Sequence, residues 1–312
     1  MNQEIELMKP MFNKKKLELP VLMRWNNRGD RYYFDIDYSN DEVTFYPSVT
    51  TLLGKVLPES EFLSGEKTKR GTEYWTWMNE LADQGTFIHQ EVTNYLINKV
   101  IDFDLLYDRV LTFIYGTKKN YDAYYWLRIV TPKIVSFLKF IQEWEVEPLF
   151  IETTFKYKDG NNKWAGTVDL LAYATVIDKK NTSRHLCLID WKSGLNAYDS
   201  NAYQLQMYKM AIEQATGLVI EKLINVNPVK YLSGNTPNFK ITNWSDNSNL
   251  QNLNHLLPLA MALGLEPTEV AIFSGKFTPD DYINSIYRMV DAKEHVTKLT
   301  KVINFKQKQG AA

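Results

Sequence analysis

Four charged side chains stand at positions where a buried strand would normally carry apolar residues: Glu152, Asp169, Asp190 and Lys192. The segments that carry them, 149–158, 163–175 and 184–192, read as three strands separated by polar turn signals. Side chains alternate between the two faces of a strand. A β-meander in simple register would therefore bring all four side chains to one end of a sheet.

Carboxylates that converge in this way repel one another unless a cation compensates their charge. A hard divalent cation such as Mg²⁺ prefers oxygen ligands and keeps several waters. When bound, such a cation acidifies a water that can attack a phosphate, and it neutralises charge on a phosphate oxygen. Lys192, two residues after Asp190, can orient that water or stabilise the charge that grows on the phosphorus centre.

Five short motifs, in this order and spacing, resemble the PD-(D/E)XK nuclease superfamily and its RecB-like exonuclease branch, which includes mitochondrial genome maintenance and phage exonucleases. They are YPSVTTLL at 46–53, GTFIH at 85–89, GTVD at 166–169, DWK at 190–192 and QLQMY at 204–208. Val168 stands where many members of the superfamily have proline. A D-x-K triplet alone is common, and the specificity comes from all five motifs together.

The resemblance implies an α/β fold with a restriction-endonuclease-like core, in which a small mixed sheet is flanked by helices. It also implies helical elaborations at both ends of the chain. The predicted parts are an N-terminal hairpin and helical roof (1–147), a catalytic core (148–231) and a C-terminal helical extension (232–312), all within a single nuclease domain.

The resemblance further implies hydrolysis of DNA phosphodiesters by a metal-activated water, which leaves a 5′-phosphate and a 3′-hydroxyl. The implied metal ligands are His89, Asp169, Asp190 and the carbonyl of Trp191. Glu152 is a further ligand or supports the ligands, and Lys192 acts on the water and the transition state. Gln204 and Tyr208 support the substrate. The metal is Mg²⁺ or, because imidazole is among the ligands, Mn²⁺.

Several of these residues also have an ordinary structural interpretation. Glu152 can be a solvated strand residue, and His89 borders an apolar helix stripe where a histidine often belongs to the core. Gln204 and Tyr208 fit a plain amphipathic helix, although Gln204 can also contact a phosphate or orient Lys192.

At the start of a predicted helix over 49–55, Ser48 can act as the N-cap, or Ser48 and Thr50 can hold a phosphate of the substrate. The family often has an acid four residues after the histidine. Thr93 occupies that position here, with Glu91 nearby, so the resemblance leaves the role of Glu91 open.

The remaining elements follow from periodicity and turn signals. A hairpin is predicted within 20–46, and mostly helical structure over 60–146. Further predicted elements are helices over 85–99 and 200–216, a last roof helix that Pro132 opens over 133–145, a strand over 221–229, and late helices over 249–263 and 279–301.

The composition excludes several classes of protein. The chain has 312 residues, 45% of them hydrophobic, and one cysteine, Cys187, which rules out a disulfide framework and a four-cysteine iron–sulfur cluster. No apolar run reaches the roughly 18 residues of a membrane span, so no membrane partner is expected. We predict a location in the reducing cytoplasm of a bacterial or phage-infected cell. The net charge of −1 allows DNA binding where basic residues are segregated.

Together these features predict a metal-dependent DNA exonuclease that prefers single-stranded ends and acts in replication, recombination, repair or phage DNA metabolism. Four aromatic residues of the roof are candidates to line a passage for single-stranded DNA, although core packing is the commoner use of such residues: Trp75, Trp77, Tyr124 and Trp126. The alternatives are a structure-specific or restriction-like endonuclease, a non-catalytic protein that binds DNA ends on the same fold, and an adaptor that recruits a protein partner.

Overall fold

The computed structural model describes residues 22–27, 30–37, 42–178, 181–232 and 234–263, and within them the chain has a mixed α/β fold. The strands are β1 (Met23–Asn27), β2 (Asp30–Asp37), β3 (Glu42–Pro47), β4 (Glu147–Asp159), β5 (Asn162–Asp178), β6 (Asn181–Trp191), β7 (Lys222–Pro228) and β8 (Phe239–Asn243). The helices are α1 (Val49–Val56), α2 (Glu61–Arg70), α3 (Tyr74–Asn98), α4 (Leu106–Thr117), α5 (Ala123–Glu143), α6 (Asp199–Thr216) and α7 (Leu253–Ala262).

The main sheet has the strand order β4-β5-β6-β7-β8. The first three strands form the predicted antiparallel meander, and Gly160 turns β4 into β5 with a left-handed φ of +56°. Helix α6 then crosses over so that β7 runs parallel to β6, while β8 pairs antiparallel with β7. The result is the small mixed sheet that the sequence predicts.

Helices cover both faces of this sheet. On one face α3, α4 and α5 pack on β-sheet residues such as Ile189, Trp191 and Val226. On the other face α1, α6 and α7 pack on residues such as Leu188 and Leu223. Burial on both faces accounts for the nearly continuous apolar run of β6. Asp190 and Lys192, at the end of this strand, are therefore charged residues in an otherwise apolar segment.

Helix α5 differs from the prediction, because it begins at Ala123 and runs through Pro132 instead of opening there. Asp122 caps it by accepting hydrogen bonds from the backbone N–H groups of residues 124 and 125. A proline inside a helix costs about 3 kcal/mol. Burial of one large apolar side chain contributes about 1.5–3 kcal/mol, and Trp126, Val130 and Ile134 on the stripe across Pro132 are all fully buried. Packing therefore outweighs the cost of the proline.

The other predicted elements agree with the structure more closely. The N-terminal hairpin is present as β1 and β2, with β3 as an additional strand of the same sheet. Helix α3 begins at Tyr74 rather than Gly85, α7 begins at Leu253 after a 3₁₀ turn, and β8 had no counterpart among the predicted elements. The predicted helix over 279–301 lies outside the described residues. None of the helices in the described ranges combines the length and apolar character that crossing a bilayer requires.

Candidate metal and active site

The first part of the site joins one helix to two strands. His89 lies on α3, Glu152 on β4 and Asp169 on β5, and one ligand atom of each lies within 4.8 Å of the other two. Nδ1 of His89 is 3.7 Å from Oε1 of Glu152 and 3.7 Å from Oδ1 of Asp169. The imidazole is 28% exposed and faces carboxylates, so His89 is not a histidine enclosed by the apolar core.

Glu152 reaches this cluster through an irregular part of β4. Ile151 pairs with Leu170 and Thr153 with Val168, which places Glu152 opposite Asp169. The backbone of Glu152 has a φ of +44°, in the left-handed region that residues other than glycine rarely adopt. Such a conformation costs about 1–3 kcal/mol and is concentrated at functional sites. An ordinary solvated strand residue would not need it.

The electrostatics of the cluster are those of crowded acids. Burial, with the nearby charges of Asp190 and Glu152, raises the pKa of Asp169 to about 7. Burial opposes the charged imidazole of His89, but the neighbouring carboxylates prevail and raise its pKa to about 9. Two carboxylate oxygens and one imidazole nitrogen form a donor set that fits Mg²⁺ or Mn²⁺. A bound cation would balance the negative charge that the carboxylates place beside the imidazole.

The second part of the site is the end of β6. Asp190 is only 4% exposed, and Nζ of Lys192 lies 3.0 Å from its Oδ1 and 2.8 Å from its Oδ2. Burial lowers the pKa of Lys192, but the charges of Asp190 and Asp169 outweigh burial and raise it overall. Lys192 is therefore a stable cation. The role of Asp190 as a metal ligand stays a prediction.

Trp191 connects the two parts. Its backbone N–H donates a hydrogen bond of 2.9 Å to Oδ2 of Asp169, while its indole packs between Phe137 and Phe140 of α5. Because the indole is 1% exposed, the backbone at this position is held in place by the core. The predicted use of the Trp191 carbonyl as a ligand stays a prediction.

Helix α6 supports Lys192 from the other side. Lys192 Nζ donates to Oε1 of Gln204 at 3.1 Å, and Nε2 of Gln204 donates to the hydroxyl of Tyr208 at 3.1 Å. Burial raises the pKa of Tyr208 well above its usual value, so the hydroxyl stays neutral. Of the two functional interpretations of Gln204, this geometry favours the one in which it orients Lys192.

Two glycines of the motifs lie close to side chains of the site, and at Gly166 the contact leaves no room for a Cβ atom. A Cβ atom on Gly166 would lie 2.3 Å from the ring of Tyr208, a distance at which one of the two must move. A Cβ on Gly85 would lie 3.3 Å from Oγ of Ser193, which follows Lys192. Gly166 thus admits Tyr208, and Gly85 lets α3 approach the segment that carries the lysine.

Glu91, the acid near His89, has a structural partner. Nε of Arg109 on α4 lies 3.0 Å from each carboxylate oxygen of Glu91, and Nη2 of Arg109 lies 2.9 Å from Oε2. Glu91 is 5% exposed, and its ion pair ties α4 to α3. It belongs to the helical packing rather than to the group of candidate ligands.

Ser48 and Thr50 differ in their access to a substrate. Ser48 is 2% exposed, caps α1 by accepting from the N–H of Thr51, and contacts the hydroxyls of Thr50 and Thr51. The capping alternative is therefore the one that the structure shows for Ser48. Thr50 is exposed, and its contact with a phosphate stays a prediction.

The four aromatic candidates of the roof also differ in how far solvent reaches their rings. Trp126 is fully buried and donates its indole N–H to Glu80 at 2.8 Å, so it belongs to the core, as the alternative interpretation has it, and does not line a passage. The guanidinium of Arg70 covers Trp77 at 4.1 Å from the ring centroid. Trp75 and Tyr124 are 64% and 68% exposed, but the ring of Tyr124 stacks on Tyr107 at 4.8 Å, which leaves Trp75 as the more open ring.

Two site residues did not emerge from the sequence. Asn225 of β7 is fully buried, and its Nδ2 donates to Oδ2 of Asp190 at 2.6 Å. Trp244, just after β8, donates its indole N–H to Oδ1 of Asn225 at 2.7 Å. The available signal was an amide inside the apolar run of 222–226, where a buried polar group requires a specific partner.

A groove of about 680 Å³ lies apart from this cluster, along α5 between Tyr125 and Val135 and against Tyr231 and Pro237. Its lining includes none of the candidate ligands, nor Lys192, Gln204 or Tyr208. The groove is thus separate from the candidate ligands and from Lys192.

Comparisons with known proteins add little to the geometry. No family model and no curated protein matches the chain. Among solved structures, the chain is similar to one described as a putative exonuclease from Eubacterium rectale, with 13% identity and a TM-score of 0.37. The likeness covers 59% of this chain and 70% of that one. Because the TM-score is below 0.5, this likeness supports neither a fold family nor an activity for this chain.

Proposed function

We propose that the protein is a metal-dependent deoxyribonuclease with a PD-(D/E)XK core. The observation that carries this proposal is the adjacency of two sets of groups. One set offers ligand atoms from His89, Glu152 and Asp169 within 4.8 Å of one another, and the other presents the lysine cation held by Asp190. The N–H of Trp191 links the two sets, so both are fixed to the same strand ends.

The residues that would hold the metal are His89, Glu152 and Asp169, with Asp190 as a further ligand in the proposed working state. When bound, the metal supplies an acidified water and positive charge next to a phosphate oxygen. The side chains of the three grouped residues are 28%, 27% and 13% exposed, which leaves the cluster open to a phosphodiester from solvent.

Lys192 has a defined part in this chemistry. Because its pKa is raised, it keeps its proton and does not act as a base. It donates hydrogen bonds to the attacking water or to the phosphate oxygen on which charge accumulates, and such stabilisation contributes about 3–4 kcal/mol per donor. In the hydrolysis, a water oxygen forms a bond to phosphorus and the bond from phosphorus to the 3′-oxygen breaks. The products are a 5′-phosphate and a 3′-hydroxyl.

Gln204 and Tyr208 keep Lys192 in place. The chain of hydrogen bonds from Tyr208 through Gln204 to Nζ leaves the ammonium group few alternative positions. Pre-organisation of this kind matters because a cation that is already oriented does not need to reorganise in the transition state.

For the substrate, we propose linear DNA with single-stranded ends. The exposed ring of Trp75 offers a stacking surface, and Nζ of Lys67 lies 6.0 Å from its centroid, suited to a backbone phosphate. Trp75 and His89 belong to the same helix, α3, and 14 residues of helix correspond to about 21 Å. A DNA strand that contacts both Trp75 and His89 would therefore extend over several nucleotides from the reacting phosphate.

A time course on 5′- and 3′-labelled linear single-stranded DNA, with closed circular single-stranded DNA of the same sequence, tests this proposal. We expect Mg²⁺ or Mn²⁺ to support digestion of the linear strand from an end, and the circle to survive. Rapid nicking of the circle would establish the endonuclease alternative instead. Binding of DNA ends without cleavage in either metal would identify a non-catalytic end-binding protein.

A further inference from the structure

A fully buried amide lies directly behind Asp190. Asn225 on β7 pairs with Asp190 on β6 in the parallel register, and its Nδ2 lies 2.6 Å from Oδ2 and 3.3 Å from the backbone carbonyl of Asp190. Both of these acceptors belong to the same residue. The amide therefore fixes the carboxylate and the backbone of Asp190 together.

Trp244 determines which way this amide points. The indole N–H of Trp244 can only donate, and it lies 2.7 Å from Oδ1 of Asn225. The oxygen of the amide must therefore face Trp244, and the NH₂ group must face Asp190. In the reversed orientation the amide oxygen would face a carboxylate and the NH₂ group would face an N–H donor. The backbone N–H of Trp244 donates to the carbonyl of Leu223 at 2.8 Å, which anchors the indole to β7.

The two oxygens of Asp190 are consequently unequal. Oδ2 accepts a hydrogen bond from Asn225 at 2.6 Å and lies 2.8 Å from the ammonium nitrogen of Lys192, whereas Oδ1 accepts a hydrogen bond from Lys192 at 3.0 Å. Oδ2 is thus the oxygen held by the buried amide and closest to the ammonium group, and Oδ1 is the oxygen that Asn225 does not contact.

We propose that Trp244 and Asn225 act as a positioning relay for Asp190, which turns Oδ1 of Asp190 towards the metal or the attacking water. This inference rests on the proposed function. Neither residue touches the reacting atoms, and both act through Asp190. Residues that orient the ligands of a metal typically change its affinity or the activity by about 10- to 100-fold when they are mutated.

The test uses two variants and their combination in the full-length protein. Asn225→Leu replaces the amide by an apolar side chain with the same branching at Cγ, and Trp244→Phe removes the indole donor while it keeps an aromatic ring. Ser136→Ala is the matched control. Ser136 is a buried polar residue, 1% exposed, whose hydroxyl donates to the carbonyl of Pro132 within α5 and not to Asp190, Asn225 or Trp244.

For Asn225→Leu we expect Mn²⁺ affinity, measured by calorimetry, and kcat on single-stranded DNA to fall about 10- to 100-fold, with little change in KM. Trp244→Phe should lower both about fivefold, the equivalent of one neutral hydrogen bond. The double variant should be no worse than Asn225→Leu, because both substitutions break the same relay. Ser136→Ala should change only the unfolding midpoint.

Wild-type Mn²⁺ affinity and kcat in both single variants, or fully additive losses, would overturn the relay. If Asn225→Leu does not fold, Trp244→Phe decides between these outcomes. Hydrogen exchange of the Trp244 indole N–H, measured by NMR in EDTA, tests this proposal independently of the proposed function. Exchange should accelerate in Asn225→Leu and stay unchanged in Ser136→Ala, even if the wild type proves to cleave no DNA. Equal exchange in wild type and Asn225→Leu would overturn the relay by itself.

Discussion

The backbone N–H of Trp191 lies 2.9 Å from Oδ2 of Asp169, and this hydrogen bond ties the end of β6 to the middle of β5. The indole of the same residue is buried against α5, so the core of the protein sets the position of the bond. This hydrogen bond couples the position of Asp169 to the end of the strand that carries Asp190 and Lys192.

The contact between Gly166 and the ring of Tyr208 gives the first prediction. Gly166→Ala places a methyl group where the ring now lies, which should cost about 1–3 kcal/mol of stability and displace Tyr208 from Gln204. We expect a lower unfolding midpoint and a fall in kcat that exceeds the loss of folded protein. Gly54→Ala is the control, because nothing lies within 4 Å of a Cβ there and alanine favours the helix. Full activity in Gly166→Ala would show that Tyr208 does not support the site.

His89→Ala tests the assignment of the imidazole as a ligand. Loss of one of three grouped donors should weaken Mn²⁺ binding more than binding of single-stranded DNA in EDTA, and high Mn²⁺ should partly restore activity. Titration calorimetry and fluorescence anisotropy measure the two affinities. His255→Ala removes an exposed histidine of α7 and should change neither. A variant that melts earlier with unchanged metal dependence would assign His89 to packing alone.

Protonation of the ligand group gives a prediction about pH. The pKa of His89 is raised to about 9 and that of Asp169 to about 7, so at pH 8 the metal-free imidazole carries a proton that the metal must displace. Affinity for Mn²⁺ should therefore rise with pH between about 6 and 9, and binding at pH 8 should release about one proton. Calorimetry in two buffers of different ionisation enthalpy measures this number. Binding at pH 8 without proton release would contradict the assignment of His89.

The exposed ring of Trp75 supplies a prediction about the substrate. Trp75→Ala should weaken binding of long single-stranded oligonucleotides by about 1–3 kcal/mol, the contribution of one stacked base. Oligonucleotides too short to reach from the site to Trp75 should bind as they do to the wild type. Tyr115→Ala removes a more exposed ring, 87% accessible, from α4 and serves as the control. Equal losses for short and long oligonucleotides would argue against a strand path along α3.

Much of the fold follows from local sequence. The alternation and apolar runs of β4, β5 and β6 predict their extents to within a few residues, and the helical spacing of Gln204 and Tyr208 places both on one face of α6. The convergence of Asp169, Asp190 and Lys192 also follows, because an antiparallel meander leaves few registers in which the apolar faces stay buried.

The differences between prediction and structure arise from long-range packing. Local propensity places a helix start at Pro132, whereas the buried stripe through Trp126 and Ile134 extends the helix across it. The left-handed backbone of Glu152 has no sequence signature, because glycine and asparagine are the usual residues there. The orientation of the Asn225 amide depends on Trp244, which is 19 residues away in the sequence and lies beside Asn225 because β8 pairs antiparallel with β7.

The most direct test of the central claim is metal-dependent release of nucleotides from end-labelled single-stranded DNA by protein that has been stripped with EDTA. Wild type should be inactive in EDTA and regain activity in Mg²⁺ or Mn²⁺. Asp169→Asn and Lys192→Met should stay folded and lose about 10³-fold or more in rate, since each removes several kcal/mol of transition-state stabilisation. Lys240→Met, which removes an exposed lysine of β8, should match wild type. Metal-independent cleavage, or turnover near the wild-type rate in either site variant, would contradict the account.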